Sequence, residues 1–187
     1  VNAVADDKIE RMRAKTVGEI MIPLDEYPHV PDRFTLAQAM LELKLASIDT
    51  LGRKSIPRFL IVFNDKNQLV GICRRRDLLR GLEPRFIQTD AGLHSGPPYD
   101  VEFDPNLLDF TSERFVGDMR RRAQRPISDV MIRNVATIDY NDHIMKAGFM
   151  IVHHNITCLP VIKDDEVVGV VRTVELFHEI AELVIEG

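Results

Sequence analysis

One pattern of residues runs through this chain twice. Val17-Gly-Glu-Ile-Met-Ile22 returns as Ile127-Ser-Asp-Val-Met-Ile132, and each copy leads into an apolar stretch with helical spacing. Leu36, Ala39, Met40 and Leu43 in the first copy, and Ile144, Ala147, Met150 and Ile151 in the second, share one face of a 3.6-residue helix. Two β-rich segments follow: Phe59-Leu-Ile-Val-Phe63 and Gln68-Leu-Val-Gly-Ile-Cys73, echoed by Leu159-Pro-Val-Ile162 and Val167-Val-Gly-Val-Val171. The polar links 64–67 and 163–166 supply the turn residues of two hairpins. Asp77-Leu-Leu-Arg-Gly-Leu82 and Glu175-Leu-Phe-His-Glu-Ile180 then begin a closing helix in each copy.

The copies differ in length. From Met21 to Gly71 the chain is twelve residues longer than from Met131 to Gly169, and the surplus falls within 25–31 and 46–57. Three regions are expected: a first repeat with an N-terminal helix over 1–83, an insert of loop plus helices over 84–125, and a second repeat over 126–187. Within the insert, His94-Ser-Gly-Pro-Pro-Tyr99 reads as a loop and 106–123 as one or two helices.

Charge and composition remove several classes of function. A formal net charge of -5 disfavours a protein that holds DNA or RNA by neutralising phosphates, so nucleic acid is not an expected partner. Apolar runs such as 59–63 fall far short of the ~20 residues that cross a bilayer, and Val1-Asn2-Ala3 starts no signal-like apolar block. No membrane partner and a cytoplasmic location are expected. Cys73 and Cys158 lie in strand-like apolar runs with no CxxC spacing, so they read as buried free thiols rather than metal ligands or a disulfide. His153 and His154 are adjacent, hence about 100° apart on a helix, and read as a basic helix end before an αL Asn155. The Arg120-Arg-Arg122 run with Arg125 reads likewise. No Ser/His/Asp order, HExxH, P-loop or GxGxxG spacing occurs, which points to a binder rather than an enzyme.

The order helix, hairpin, closing helix, repeated with Val-Gly strands and a Gly-h-h-x-x-x-(Asp/Glu)-h ending, resembles the tandem CBS (cystathionine-β-synthase) domain pair called a Bateman module. The likeness is strongest in Asn155-Ile-Thr-Cys-Leu-Pro-Val161 and Val168-Gly-Val-Val-Arg-Thr-Val-Glu-Leu176; in the first copy Ile61 stands where that family usually has proline. The resemblance implies an α/β (α+β) fold of two pseudo-symmetric repeats, each a small mixed sheet with helices packed on one face, joined by the partly helical insert. It implies clefts between the repeats that hold AMP, ADP, ATP or S-adenosylmethionine as a regulatory ligand, with no cofactor required. It also implies homodimers that form a flat disk through their helices.

Carried over residue by residue, the carboxylate that meets the ribose falls on Asp77 and on Glu175, one methylene longer than the usual aspartate. The Ser or Thr three residues earlier is replaced in both copies, by Arg74 and Arg172. Ligand contacts before the first hairpin strand fall on Arg58 and Thr157. The adenine edge falls near the backbone of Ile22 and Ile132, between apolar walls from Val62 and Val161. Arg74, Arg75 and Arg76 add three cations at a helix N-terminus whose dipole disfavours them, which calls for a phosphate there unless Arg74 pairs internally with Asp77 or the arginines simply face solvent. Thr173 follows Arg172 as a further hydroxyl donor. Each position also has a plain structural reading: Asp77 and Glu175 as helix-capping acids, Arg58 and Thr157 as solvated strand starts, Val62 and Val161 as core.

Two functions therefore stay open. One is a regulatory module that senses an adenosine-containing nucleotide between its repeats and signals to a separate effector protein; the other is a structural dimerisation or docking module with no small-molecule ligand.

Overall fold

Short β-branched runs set between amphipathic turns give two like halves in a computed structural model that describes residues 14–50, 53–83 and 113–186. The expected N-terminal helix and most of the insert, including the 94–99 loop, lie outside the described residues. The first half runs β1 (Ile22–Pro23), β2 (His29–Pro31), α1 (Leu36–Leu45), a hairpin of β3 (Ile48–Thr50) and β4 (Arg53–Ser55), β5 (Phe59–Phe63), β6 (Leu69–Arg74) and α2 (Arg75–Leu82). From the insert, α3 (Glu113–Arg122) packs on α2. The second half runs β7 (Ile138–Asp139), α4 (Ile144–His153), β8 (Cys158–Lys163), β9 (Glu166–Arg172) and α5 (Thr173–Glu186).

Each half is built on an antiparallel hairpin with a parallel strand added on one side: β2-β5-β6 in the first, and β9-β8-β7 in the second. The turn of the second hairpin needs φ > 0 at both central residues, which Asp164 (51°) and Asp165 (64°) supply. Asn155, at φ 50°, ends α4 in the αL conformation that its sequence suggested.

The leading segments are exchanged, which the repeat pattern did not reveal. β1 pairs with β9 of the second half through Ile22 and Val170, and Ile132 bridges Ile72 of the first half by reciprocal N–H···O bonds of 2.8 and 3.0 Å. The free edges of β6 and β9 thus gain partners from the opposite copy. Val17 and Ile20 join the core of Ile144, Leu159 and Val171, while Ile127 and Met131 join that of Leu36, Leu60 and Leu78. The crossing explains the glycine in each Val-Gly motif. A Cβ at Gly71 would lie 2.6 Å from the Ile132 carbonyl oxygen, and one at Gly169 would lie 2.5 Å from that of Ile22.

Strand alternation divides the core into three. Leu60 and Val62 face α1 and α2, and Leu159 and Val161 face α4 and α5. Phe59, Ile61 and Phe63 face the other way and meet Ile22, Tyr27, Ile48, Ile72, Cys158 and Val170 in a seam between the halves. Each buried aliphatic side chain contributes about 1.5–3 kcal/mol, so this seam outweighs any single polar contact across it. Both cysteines are buried free thiols. Among the described residues no helix is long and apolar enough to cross a membrane.

Candidate functional site

Because β5 and β8 start on opposite sides of the seam, the segments that lead into them face each other across a gap of about 640 Å³. One wall carries Arg58, Phe59, Ile72 and the N-terminal turn of α2 with Arg74, Arg75 and Arg76; the other is formed by Ile132, 134–136 and 154–158. The floor is apolar, made of Phe59, Ile72, Ile132, Ala136 and Cys158, whose thiol is pushed up to about 12 by burial and stays neutral. Among the described residues four arginines line the cleft and no carboxylate does, in a chain whose net charge is -5. Arg75 donates to the Pro57 carbonyl (2.7 Å). The side chains of Arg58 and Arg76 have no hydrogen-bond or ion-pair partner among the described residues, while the Arg58 carbonyl accepts from the Arg75 N–H (3.1 Å). With the N–H groups of the α2 N-terminus, they form a positive rim above an apolar floor, an arrangement that accepts a flat ring below and an anion above.

Arg74 is held differently. Its Nε donates to Asp77 Oδ2 (2.7 Å), its Nη2 to Oδ1 (2.9 Å), and its backbone N–H to Oδ2 (3.0 Å). Asp77 therefore keeps the capping role of an acid three residues into a helix, while arginine takes the place of the missing hydroxyl. Burial raises the Asp77 pKa, but the hydrogen bonds and charge of Arg74 outweigh it and hold the carboxyl below its ordinary value. A depressed pKa means stability that is present above the unfolded value of about 3.9 and lost as pH falls through the folded one. Asp77→Asn is thus expected to lower stability by about 2 kcal/mol at pH 7. In urea titrations at pH 7 and pH 3 the gap between variant and wild type should be smaller at the lower pH; an equal gap at both would remove this role.

The second copy repeats the clamp but buries it. Arg172 binds Glu175 through its backbone N–H (3.1 Å) and through Nε (3.0 Å), and the two side chains are only 11% and 5% exposed. Above them the first half contributes its surplus length. Tyr27 stands three residues before Val30 in β2, as Val135 stands three before Ile138 in β7. Where Val135 lines the open cleft, Tyr27 is 2% exposed, with its ring 5.0 Å from that of Phe59. Ile48 of the β3–β4 hairpin joins it in the seam, and Ser55 accepts from Arg172 Nη1 at 3.4 Å. Ile22, Val170 and Arg172, the walls of this second cleft, are all buried. The Tyr27 hydroxyl is enclosed without a hydrogen-bond partner among the described residues, and burial pushes its pKa well above the tyrosine range.

Of the residues singled out from sequence, the open cleft gathers Arg58, Arg74, Arg75, Ile132 and Thr157. Ile22, Arg172 and Glu175 belong to the filled cleft, whereas Thr173 is exposed and its hydroxyl donates to the Thr157 carbonyl (3.1 Å). Asp77 is 4% exposed beneath Arg74 and does not form the cleft wall. Val62 and Val161 are wholly buried under the helices and do not line the open cleft; the strand parity is off by one, and Phe59 and Cys158 hold that place. Asn134, His154 and Asn155 line the cleft without having been singled out for it; the φ of 55° at Asn134 and 50° at Asn155 marks the turns that bring them there. His153 instead stacks on Phe149 at 3.9 Å.

No curated protein sequence matches this chain. Its fold resembles that of the CBS domain of a CBS domain-containing membrane protein from Sphaerobacter thermophilus, with a TM-score of 0.63 and 21% identity over 95% of this chain and 94% of that one. CBSX2, whose crystal structure is in complex with AMP, matches with a TM-score of 0.58 and 16% identity over 92% and 98%. The CBS domain pair of protein MJ0100, in complex with 5′-methylthioadenosine and S-adenosyl-L-methionine, gives 0.56 and 15% over 90% and 97%. The sequence profile of the CBS domain itself matches residues 17–84 and 127–182. Two such segments, folded as two like halves across a common seam, make this chain a member of the CBS domain family.

Proposed function

We propose that this chain is a regulatory module that binds one adenosine-containing nucleotide in its open inter-repeat cleft and passes the signal to a separate partner protein. The observation that carries the reading is the cleft of about 640 Å³ with an apolar floor and, among the described residues, four arginines and no acidic lining residue. An adenine ring matches the floor, and phosphates match Arg58, Arg76 and the α2 N-terminus. On this reading AMP, ADP or ATP is favoured over S-adenosylmethionine, whose sulfonium adds a positive charge to a positive rim. The similar folds whose crystal structures hold AMP or S-adenosyl-L-methionine lend support. Ligand binding acts as a signal only if it favours one packing of the halves over another. The reading also divides the chain at 83 and 126, gives it no catalytic step, places it in the cytoplasm, and has it pair with a second copy of itself.

A docking module without a ligand is the second reading, favoured by the filled second cleft and by Asp77 being occupied by Arg74. Calorimetric titration separates the two. The first reading expects one ATP per chain and, at ~100 times the dissociation constant, about 2.7 kcal/mol of added stability. No heat and no thermal shift with AMP, ADP or ATP would leave only the second.

A further inference from the structure

Residues 55–59 touch both clefts at once. The Ser55 hydroxyl accepts from Arg172 Nη1 (3.4 Å) in the filled cleft and donates to the Ile48 carbonyl (3.5 Å) across the β3–β4 pair. Two residues later the chain is held from the open cleft. Arg75 donates from Nη2 to the Pro57 carbonyl (2.7 Å) and from its backbone N–H to the Arg58 carbonyl (3.1 Å). Phe59 ends the passage in the floor of the open cleft, and its ring meets that of Tyr27 at 5.0 Å. The Tyr27 hydroxyl, desolvated by burial, lies in the field of Arg172 and of Arg75, one arginine from each cleft. In the second copy only residues 154–157 separate α4 from β8, so this passage belongs to the first half alone.

Arg75 is the joint between the two sides. Its Nη2 is taken by Pro57, while Nε and Nη1 have no hydrogen-bond partner among the described residues, and the side chain lines the open cleft. A guanidinium can hold a phosphate on two donors and a carbonyl on a third, because its N–H groups are fixed in one planar fork. Resting on the reading of the open cleft as a nucleotide site, we infer that Arg75 couples the two clefts. A phosphate on Nε and Nη1 fixes Nη2 on Pro57 and locks the β3–β4 hairpin, with Ile48 and Tyr27, into the second cleft. The order of that hairpin then reports whether the open cleft is filled. Without a phosphate Arg75 is exposed, and its one side-chain hydrogen bond to Pro57 competes with water. Adenosine covers the floor but gives Arg75 nothing to hold. Only a ligand that binds the locked state more tightly can shift the balance, and the phosphate meets that condition through Arg75.

Hydrogen exchange of the whole chain tests the coupling. The amides to follow are those of β3, residues 48–50, which line no part of the open cleft. ATP and adenosine are each supplied at about 100 times the dissociation constant that calorimetry gives for that protein, so that binding stabilises every sample equally. In the wild type, ATP is expected to slow these amides at least about tenfold more than adenosine does. Arg75→Met keeps the stem, removes the N–H groups and should abolish the difference. Arg58→Met removes another cleft arginine, whose side chain has no tie to the hairpin, and should preserve it. Equal slowing by ATP and adenosine in the wild type, a difference that survives Arg75→Met, or one that Arg58→Met also abolishes overturns the coupling but leaves the nucleotide site standing. Absence of ATP binding to the wild type overturns both.

Discussion

Replacing Arg58 and Arg76 together by alanine is expected to weaken ATP binding at least about 100-fold while leaving the affinity for adenosine and the melting temperature nearly unchanged. The size follows from the count of contacts. A hydrogen bond to a charged group contributes about 1.5–3 kcal/mol, and a tenfold change in affinity corresponds to about 1.4 kcal/mol, so two lost phosphate contacts multiply to this factor or more. The selectivity follows from where the side chains stand. Both line the cleft, both are exposed, and neither has a hydrogen-bond or ion-pair partner among the described residues whose loss would disturb the fold. Arg74 makes the informative contrast. Its side chain is spent on Asp77, so Arg74→Ala should lower stability by stranding a buried carboxylate, and its effect on binding would be mixed with that loss. Titrations of the double variant with ATP, AMP and adenosine decide the matter. Equal losses for adenosine and ATP would take the arginines out of the phosphate role, and no loss at all would take the ligand out of this cleft.

The repeat made the architecture legible. The doubled Val-Gly hairpins and helical faces led directly to two like halves, and the buried Leu36, Ala39 and Leu43, with Ile144, Ala147 and Ile151, are the faces that spacing marked. What spacing could not show was connectivity. Ile22 and Ile132 have the same pattern whether each strand pairs within its own copy or with the other, because an apolar strand satisfies either edge. The site was half legible for a related reason. Arg74 and Arg75 stood out because cations at a helix start need an anion, and Arg58 stood out only through the family resemblance, yet the helix-start argument could not tell an internal Asp77 from an external phosphate. Val62 and Val161 failed on strand parity, which a fully apolar run such as Phe59-Leu-Ile-Val-Phe63 hides because both faces are buried. Nor did the twelve surplus residues reveal their use, since extra length in a turn reads as a loop until its side chains are seen in the seam.

That surplus carries the second large expected effect. Tyr27→Ala should cost about 3–5 kcal/mol, the usual range for removing a large aromatic side chain from a core, because the ring lies sealed against Phe59 at the centre of the seam. Tyr27→Phe should do the opposite. It removes a hydroxyl that is buried with no partner and keeps the ring, so a gain of about 1 kcal/mol, or about 2–4 °C in melting temperature, is expected. The pair of variants separates the ring as a space-filler from the hydroxyl as an unmet cost. If Tyr27 and the β3–β4 hairpin act as the chain's own occupant of the second cleft, the void in Tyr27→Ala faces Val170 and Arg172, the counterparts of the open cleft's Ile72 and Arg74. Saturating ATP should then raise the melting temperature of Tyr27→Ala by more than it raises that of the wild type, because a second base can enter. An equal rise in both, with one nucleotide bound to each, would show that the hairpin and the Arg172–Glu175 clamp close that cleft without the tyrosine. Two nucleotides on the wild type would show that it was never closed.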